Sequence, residues 1–383
     1  MSKTAKKGPT KSPLPGSIKI MTIGGATQDI FIKYEDASTM HLHTKTEKQS
    51  YLLLQEGAKI EVTDILYSSG GGANNAAFSF KKQGFQVDPF FKIGSDDAGK
   101  FIIQNLKKAS INATLILQNN TVSTGISFII PSLERDRTIF AFRGSNATVT
   151  KKDLPLATIK EYDYLYITSL SGESSKLLPT ITKMAKKQNV LVATNPGSSQ
   201  LIAGADLLRK SLSDLDILIL NSAEAKVLMD SLLQADRNLQ KSAKKFPGKK
   251  EKRLPKLLQS NNVDSFNLKL FFHTVLSYGT KIIAVTNGAE GVYVATKDSL
   301  YFHTSLPTTV VNTLGAGDAF GSTFVGALAS QKTVEEALRY GIINATSVIS
   351  HTNTHDGLLN LRQLEKKAKT VDKDLLQNFR WNF

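Results

Sequence analysis

The stretch Asn312–Thr323, NTLGAGDAFGST, carries the residues best suited to chemistry. Gly315 and Gly317 flank Ala316 and lead into Asp318, and the small, apolar residues that follow (Ala319, Phe320, Phe324, Val325) predict a buried helix. A glycine turn feeding a helix start presents N–H groups without intrahelical partners at the positive end of the helix dipole, which suits an anion, most often a phosphate. A carboxylate would repel a phosphate resting there. It could, however, take the proton of a hydroxyl attacking a neighbouring phosphorus while the turn N–H groups stabilise the transferring charge. On residue types alone the stretch is equally a glycine turn with an Asp helix cap, so the rest of the chain has to decide.

Other stretches offer further candidates. Asp29 follows a short apolar run, Ile18–Ile23, and the pair Gly24-Gly25. Beyond the carboxyl end of a first strand it is a candidate to bind a polar substrate, or else a turn Asp. In Ser68–Ala77, SSGGGANNAA, the glycines Gly70, Gly71 and Gly72 permit close backbone approach, and Asn74 and Asn75 are expected to begin a helix running to about Gln83. Neutral amides both donate and accept, so they suit sugar hydroxyls; the plain alternative is a glycine turn with an Asn cap. Asn221-Ser-Ala-Glu224 has the spacing of a capping box. Gly94–Lys100, GSDDAGK, matches GxxxxGK but fails as a phosphate loop: Phe101 replaces the metal-binding hydroxyl, and Asp96 and Asp97 would repel phosphate. His41 and His43 share one strand face, with no third ligand in evidence to make a metal site.

These groups need a frame to hold them. Runs at Ile18–Ile23, Tyr164–Thr168, Val190–Thr194, Ile217–Leu220 and Ile282–Val285 alternate with helical segments near Ser174–Lys187 and Val334–Ser350, which predicts parallel strands covered by helices. Between Phe31 and Tyr67, and again at Ile126–Ile130 and Thr138–Phe142, the pattern is that of β-hairpins. A GxGxxxG spacing followed by two helices in succession argues against a dinucleotide fold.

The chain of 383 residues is 41% hydrophobic, enough for a sizeable core, and has no cysteine, which excludes disulfides, thiolate nucleophiles and cysteine metal sites. Ile18–Ile23, interrupted by Lys19, is too short for a signal core or a membrane span. Most of the net charge of +15 sits in two places. Lys3, Lys6, Lys7 and Lys11 form a basic tail, and Arg237–Lys256 holds nine basic residues against Glu251 alone. Phe246 is the single aromatic residue among these lysines, not the interleaving that a base-stacking surface would require, so solvated loops are expected rather than a specific nucleic-acid surface.

In order along the chain, GGATQD with Asp29, the SSGGGAN run, the IGSDDAG element, Asn221–Glu224, TNGAEG at Thr286–Gly291 and the NTLGAGD turn resemble the motifs of the ribokinase-like family, the PfkB carbohydrate kinases. The resemblance covers roughly residues 17 to 365. It implies an α/β ribokinase-like fold, a central, mostly parallel sheet flanked by helices, with a small β-sheet lid from about 31–67 and 124–143. It also implies one kinase domain, 17–383, a disordered basic tail at 1–16 and a partly disordered basic insertion at about 231–267.

The implied activity is ATP-dependent phosphorylation of a small sugar. Asp318 would be the base, with Gly315, Ala316 and Gly317 as the anion hole. Asp29, Gly70, Gly72 and Asn74 would hold the substrate, with Gly71 between them. Asn221 and Glu224 would organise Mg2+ and phosphate, Glu224 through water, while Thr286, Gly288 and Gly291 would lie along the nucleotide and Asn344 near the adenine or facing solvent. Three departures matter: Ser69 stands where glycine is usual, no acid lies near Ser169, and Asn312 replaces the commoner Asp, leaving activation by a monovalent cation open. Arg137 and Arg143 would count if the substrate already carried a phosphate. A homodimer through the lid and a cytoplasmic location belong to the same expectation, with no specific nucleic acid and no membrane. A nucleoside kinase of the same fold is the nearest rival. A binding protein acting through its basic segment is the rival from another class. Deleting Lys241–Lys256 discriminates: a kinase keeps its turnover in an ATP-consumption assay, whereas a protein that works through those lysines loses function.

Overall fold

The computed structural model describes residues 15–33, 38–43, 48–131, 137–202, 204–245 and 266–380. The chain enters the sheet on β1 (Lys19–Ile23) and turns into β2 (Thr27–Lys33), then β3 (Ser38–His43), β4 (Lys48–Leu53) and β5 (Asp64–Gly70). After a helix at Gly72–Lys82 come β6 (Gln86–Phe90), β7 (Lys92–Gly94), β8 (Leu117–Asn119), β9 (Gly125–Pro131) and β10 (Arg137–Phe142). Alternating β and α segments follow: β11 (Tyr164–Ile167), β12 (Leu191–Thr194), β13 (Ile217–Asn221) and β14 (Ile282–Thr286). The chain closes with β15 (Val292–Ala295), β16 (Ser299–His303), helices at Ala316–Ala329, Val334–Ile349 and Leu361–Ala368, and β17 (Leu376–Arg380).

Nine strands form the main sheet in the order β17-β16-β15-β14-β13-β12-β11-β1-β6. From β14 to β6 every pairing is parallel, and β15, β16 and β17 add an antiparallel edge. Parallel strands need crossovers, and the helices that supply them bury both faces, so the strands are apolar on both sides. The two-residue period then divides them between two cores. Met21, Ile23, Leu165, Ile167, Leu218 and Leu220 belong to one. Ile20, Tyr166, Ala193, Ile217, Ile219 and Ala284 belong to the other, with Phe320 and Phe324 of the Ala316 helix.

A second sheet of four strands, β10-β9-β2-β5, forms the lid. It differs from the expectation in two respects. It begins at Thr27, so Asp29 lies within a lid strand and not in a turn, and β3 pairs only with β4 as a separate hairpin. The expected start of the helix after the SSGGG run also moves, from Asn74 back to Gly72. Of the basic tail, residues 1–14 lie outside the described residues, and Pro15–Ser17 forms one 3-10 turn. Of the insertion at about 231–267, residues 246–265 lie outside them as well, while helices at Ser222–Ala235 and Arg237–Lys245 fill the part expected to be partly disordered. No helix among the described residues is long and apolar enough to cross a membrane.

Candidate active site

Parallel strands deliver their following loops to one edge of a sheet, and the candidate motifs gather there. Asn221 and Thr286 end neighbouring strands and sit in register with each other. Past Thr286, Gly288 opens a 3-10 turn and Gly291 leads into β15. β1 leads through Gly24 and Gly25 into the lid strand that carries Asp29.

The two glycine-rich helix starts turn out differently. At the Gly72 helix, Gly71 is the N-cap with φ 91°, and a Cβ there would stand 2.6 Å from the Gly25 carbonyl oxygen. That carbonyl accepts the N–H groups of Ala73 at 3.1 Å and Asn74 at 3.4 Å, so this helix start is closed by protein. At the Ala316 helix, Gly315 is left-handed at φ 76° and a Cβ would press on Thr354, whereas Gly317 faces open space. The N–H groups of Ala316, Gly317 and Asp318 have no acceptor among the described residues, and no side chain caps the helix. A helix start left this way has donors to offer an anion.

Asp318, in the first turn of that helix, is partly exposed. Its Oδ2 accepts a hydrogen bond from Asn75 Nδ2 at 2.8 Å. Burial pushes its carboxyl above the usual range, and the Asn75 bond works against that shift. Asp29 is only 5% exposed and belongs to the same electrostatic neighbourhood. Burial pushes it up to about 6 against the bonds from Thr27 and Ser127, and the Asp318 charge adds to the rise. Gly70 ends the lid strand β5 against the Asp29 carboxylate, and Gly72 opens the helix. Asn74 is fully buried, and neither its Oδ1 nor its Nδ2 has a partner among the described residues. An orphaned buried amide is costly unless a ligand or water meets it.

Other candidates have structural duties. Asn221 and Glu224 make both bonds of a capping box, Glu224 N–H to Asn221 Oδ1 and Asn221 N–H to Glu224 Oε2, each 2.8 Å. Asp96 caps the Asp97–Lys108 helix through Gly99 N–H, which explains the acids that ruled out a phosphate loop. Asn312 donates to Thr352 O at 2.8 Å and accepts from Leu314 N–H at 2.9 Å, so both ends of the side chain expected beside a monovalent cation are in use. Asn344 does not face solvent: it is fully buried, donating to Thr323 Oγ1 at 2.6 Å and accepting from Leu359 N–H at 2.9 Å. His41 bonds Ser50, and no three His, Asp or Glu side chains among the described residues cluster as a metal site.

Sequence reasoning missed the second Asn. Asn75, Ser79 and Gln83 form one stripe of the Gly72 helix and meet Asp318, Ser322 and Thr323 of the Ala316 helix. The spacing of four was the available signal, because it puts all three on one face. Arg137, considered for a phosphorylated substrate, reaches from the lid to bond the Thr313 hydroxyl of the central turn; Arg143 is exposed. Beside that bridge lies a cleft of about 360 Å³ lined by Phe31, Lys33, Asp64, Arg137, Asn312 and Thr352 among others.

The sequence pattern of the pfkB family carbohydrate kinases matches residues 36–254 and 254–360. The chain belongs to this family. It is 24% identical over 326 residues to a ribokinase of Staphylococcus aureus, an alignment covering 84% of this chain and 90% of that one. Among solved structures, an Arabidopsis thaliana ribokinase complexed with ribose and ATP superposes with a TM-score of 0.69 at 19% identity, covering 92% of this chain and 99% of the other. A Burkholderia thailandensis nucleoside kinase in complex with inosine superposes with a TM-score of 0.67 at 13% identity, covering 92% and 98%. The ribokinase-like fold and the carbohydrate-kinase class expected from the motifs therefore stand.

The raised carboxyl of Asp29 has a measurable cost. Above pH 6 the folded protein holds a buried charge; as pH falls from about 6 to 4 it takes up a proton that the unfolded chain does not, so this residue's contribution to stability improves. Asp29→Asn removes the penalty. Chemical denaturation at pH 8 should show the pfkB-family variant more stable than its parent, by on the order of 2–3 kcal/mol, with the gain gone by pH 4.

Proposed function

We propose that this ATP-dependent carbohydrate kinase phosphorylates a hydroxyl of a small polyhydroxylated substrate, with Asp318 as the base. The observation that carries the reading is the open start of the Ala316 helix: a carboxylate beside N–H groups that no acceptor among the described residues takes. Such donors stabilise charge as it develops on the transferring phosphoryl group, while the carboxylate receives the proton of the attacking hydroxyl. Gly315, Ala316 and Gly317 supply the anion hole. Asp29 and the orphaned amide of Asn74 hold the hydroxyls of the substrate, with the backbone of Gly70, Gly71 and Gly72 beside them.

The nucleotide lies over the ends of β13 and β14, along Thr286, Gly288 and Gly291. Asn344 acts there through the helix pair it ties together. Mg2+ favours one or two carboxylates with phosphate oxygens and water, and half-buried Glu224, with one oxygen given to its cap, fits the role of an indirect holder. Bound there, the ion would offset phosphate charge. Dependence on ATP favours the cytoplasm as the compartment. Residues 17–383 act as one catalytic domain, with the lid excluding water from the transfer.

A nucleoside acceptor is the second reading, favoured by the likeness to the nucleoside kinase. ATP consumption with ribose, fructose, their phosphates and adenosine decides between the two. Asp318→Asn should lower turnover with the best acceptor on the order of a hundredfold or more, and undiminished turnover would remove the assigned base.

The outer lid also exposes Tyr67, Phe128, Phe140 and Phe142, by 58%, 41%, 53% and 54%. An apolar face of this kind fits a second copy of the chain. Light scattering should report a dimer that Phe140→Lys with Phe142→Lys converts to a monomer.

A further inference from the structure

Asn75 is bonded to the proposed base, and nothing in the substrate reading uses it. We propose that Asn75 is a positioning residue for phosphoryl transfer: it sets the orientation of the Asp318 carboxylate, and Thr354 and His355 behind it decide which end of its amide faces that carboxylate. The inference rests on Asp318 being the base.

The geometry has three parts. Asn75 Nδ2 donates to Asp318 Oδ2 at 2.8 Å. On its far side, Asn75 Oδ1 faces Thr354 Oγ1 at 3.2 Å and His355 Nε2 at 3.0 Å. An amide oxygen only accepts, so both neighbours donate and His355 is the neutral tautomer with its proton on Nε2. Burial pushes this His down to about 4, which keeps it neutral at ordinary pH. Phe78, on the same helix as Asn75, stacks on the His355 ring with centroids 3.9 Å apart and planes at 12°.

With its oxygen held by two donors, the amide cannot turn over without losing both and setting that oxygen against a carboxylate. The NH2 group therefore stays on Asp318. Thr354 also lies under the turn, where a Cβ on Gly315 would come within 2.7 Å of its methyl group. One loop thus supports both the base and the anion hole. Held through Oδ2, Asp318 keeps its other oxygen for the incoming hydroxyl. The titratable groups in electrostatic contact with this network are Asp29 and Tyr166, both of which feel the Asp318 charge, and Asp356, which acts on His355.

The test compares full-length Asn75→Leu, His355→Phe, His355→Gln and Asp318→Asn with the parent, using the best acceptor from the sugar and nucleoside panel. A second arm titrates the Asp318 carboxyl by NMR on protein labelled at aspartate carboxyl carbons, assigned with Asp318→Asn; it needs no substrate. Asn75→Leu should cost about ten- to a hundredfold in kcat with sugar KM changed far less, because a donor to a charged group is lost and the base is no longer aligned. The acid limb of its kcat profile and the Asp318 titration should both move to higher pH. His355→Phe keeps the stack on Phe78 and loses the donor, so it should lose a smaller factor, and His355→Gln should recover most of that loss. Should Asn75→Leu not fold, the two His355 variants make the same comparison.

Parent-like kcat and an unmoved Asp318 titration in Asn75→Leu and His355→Phe, alongside an inactive Asp318→Asn, would overturn the positioning role and leave the base assignment standing. Parent-like turnover in Asp318→Asn would instead overturn the base assignment, and this inference with it.

Discussion

Two helices carry the residues of the proposed chemistry, and the polar stripe between them fixes their relative register. Asn75, Ser79 and Gln83, each one turn apart, meet Asp318, Ser322 and Thr323 across a buried interface. Apolar packing between small-residue helices tolerates some sliding, because one methyl group resembles another. Directed hydrogen bonds out of water do not, since a slip by one turn, about 5.4 Å, would leave several polar groups unpaired. The helix that follows the first glycine turn is thereby locked to the helix that follows the second. Asn344 extends the lock to the third helix through the same Thr323 hydroxyl.

The site bears an electrostatic cost that the surrounding fold sustains. Asp29 and Asp318 are both pushed up by burial, and neither end of the Asn74 amide has a partner among the described residues. None of this stabilises the folded chain. A ligand rich in hydroxyls would relieve much of it by donating to the carboxylates and satisfying the amide, so binding gains from what folding leaves unmet. The contrast between the two helix starts follows the same logic. One set of N–H groups is closed by the Gly25 carbonyl, and the other is left open where charge would develop.

Capping and ligand binding draw on the same residue types, which is why the motifs were ambiguous when read singly. Asp96 and the Asn221–Glu224 pair are helix caps in the fold, whatever else they do. Asp318 has the residue type of a cap and the first-turn place of an acid that favours the dipole, yet its carboxylate is bonded to a different helix. Only the partner separates these cases, and partners 243 residues apart are not visible as a local pattern.

The sequence by itself determined the α/β frame, because buried parallel strands must read as short apolar runs separated by helices. It also determined the order of the motifs and the glycine turn ahead of Asp318, because those conformations exclude most other residues. Family membership was legible on the same residues. Tertiary structure alone decided that Asp29 lies in a lid strand, that Asn344 is buried, and that Asn75, Thr354 and His355 converge behind Asp318. Strand pairing, burial and the meeting of distant side chains depend on how the elements pack, and a pattern of neighbours along the chain carries no record of that.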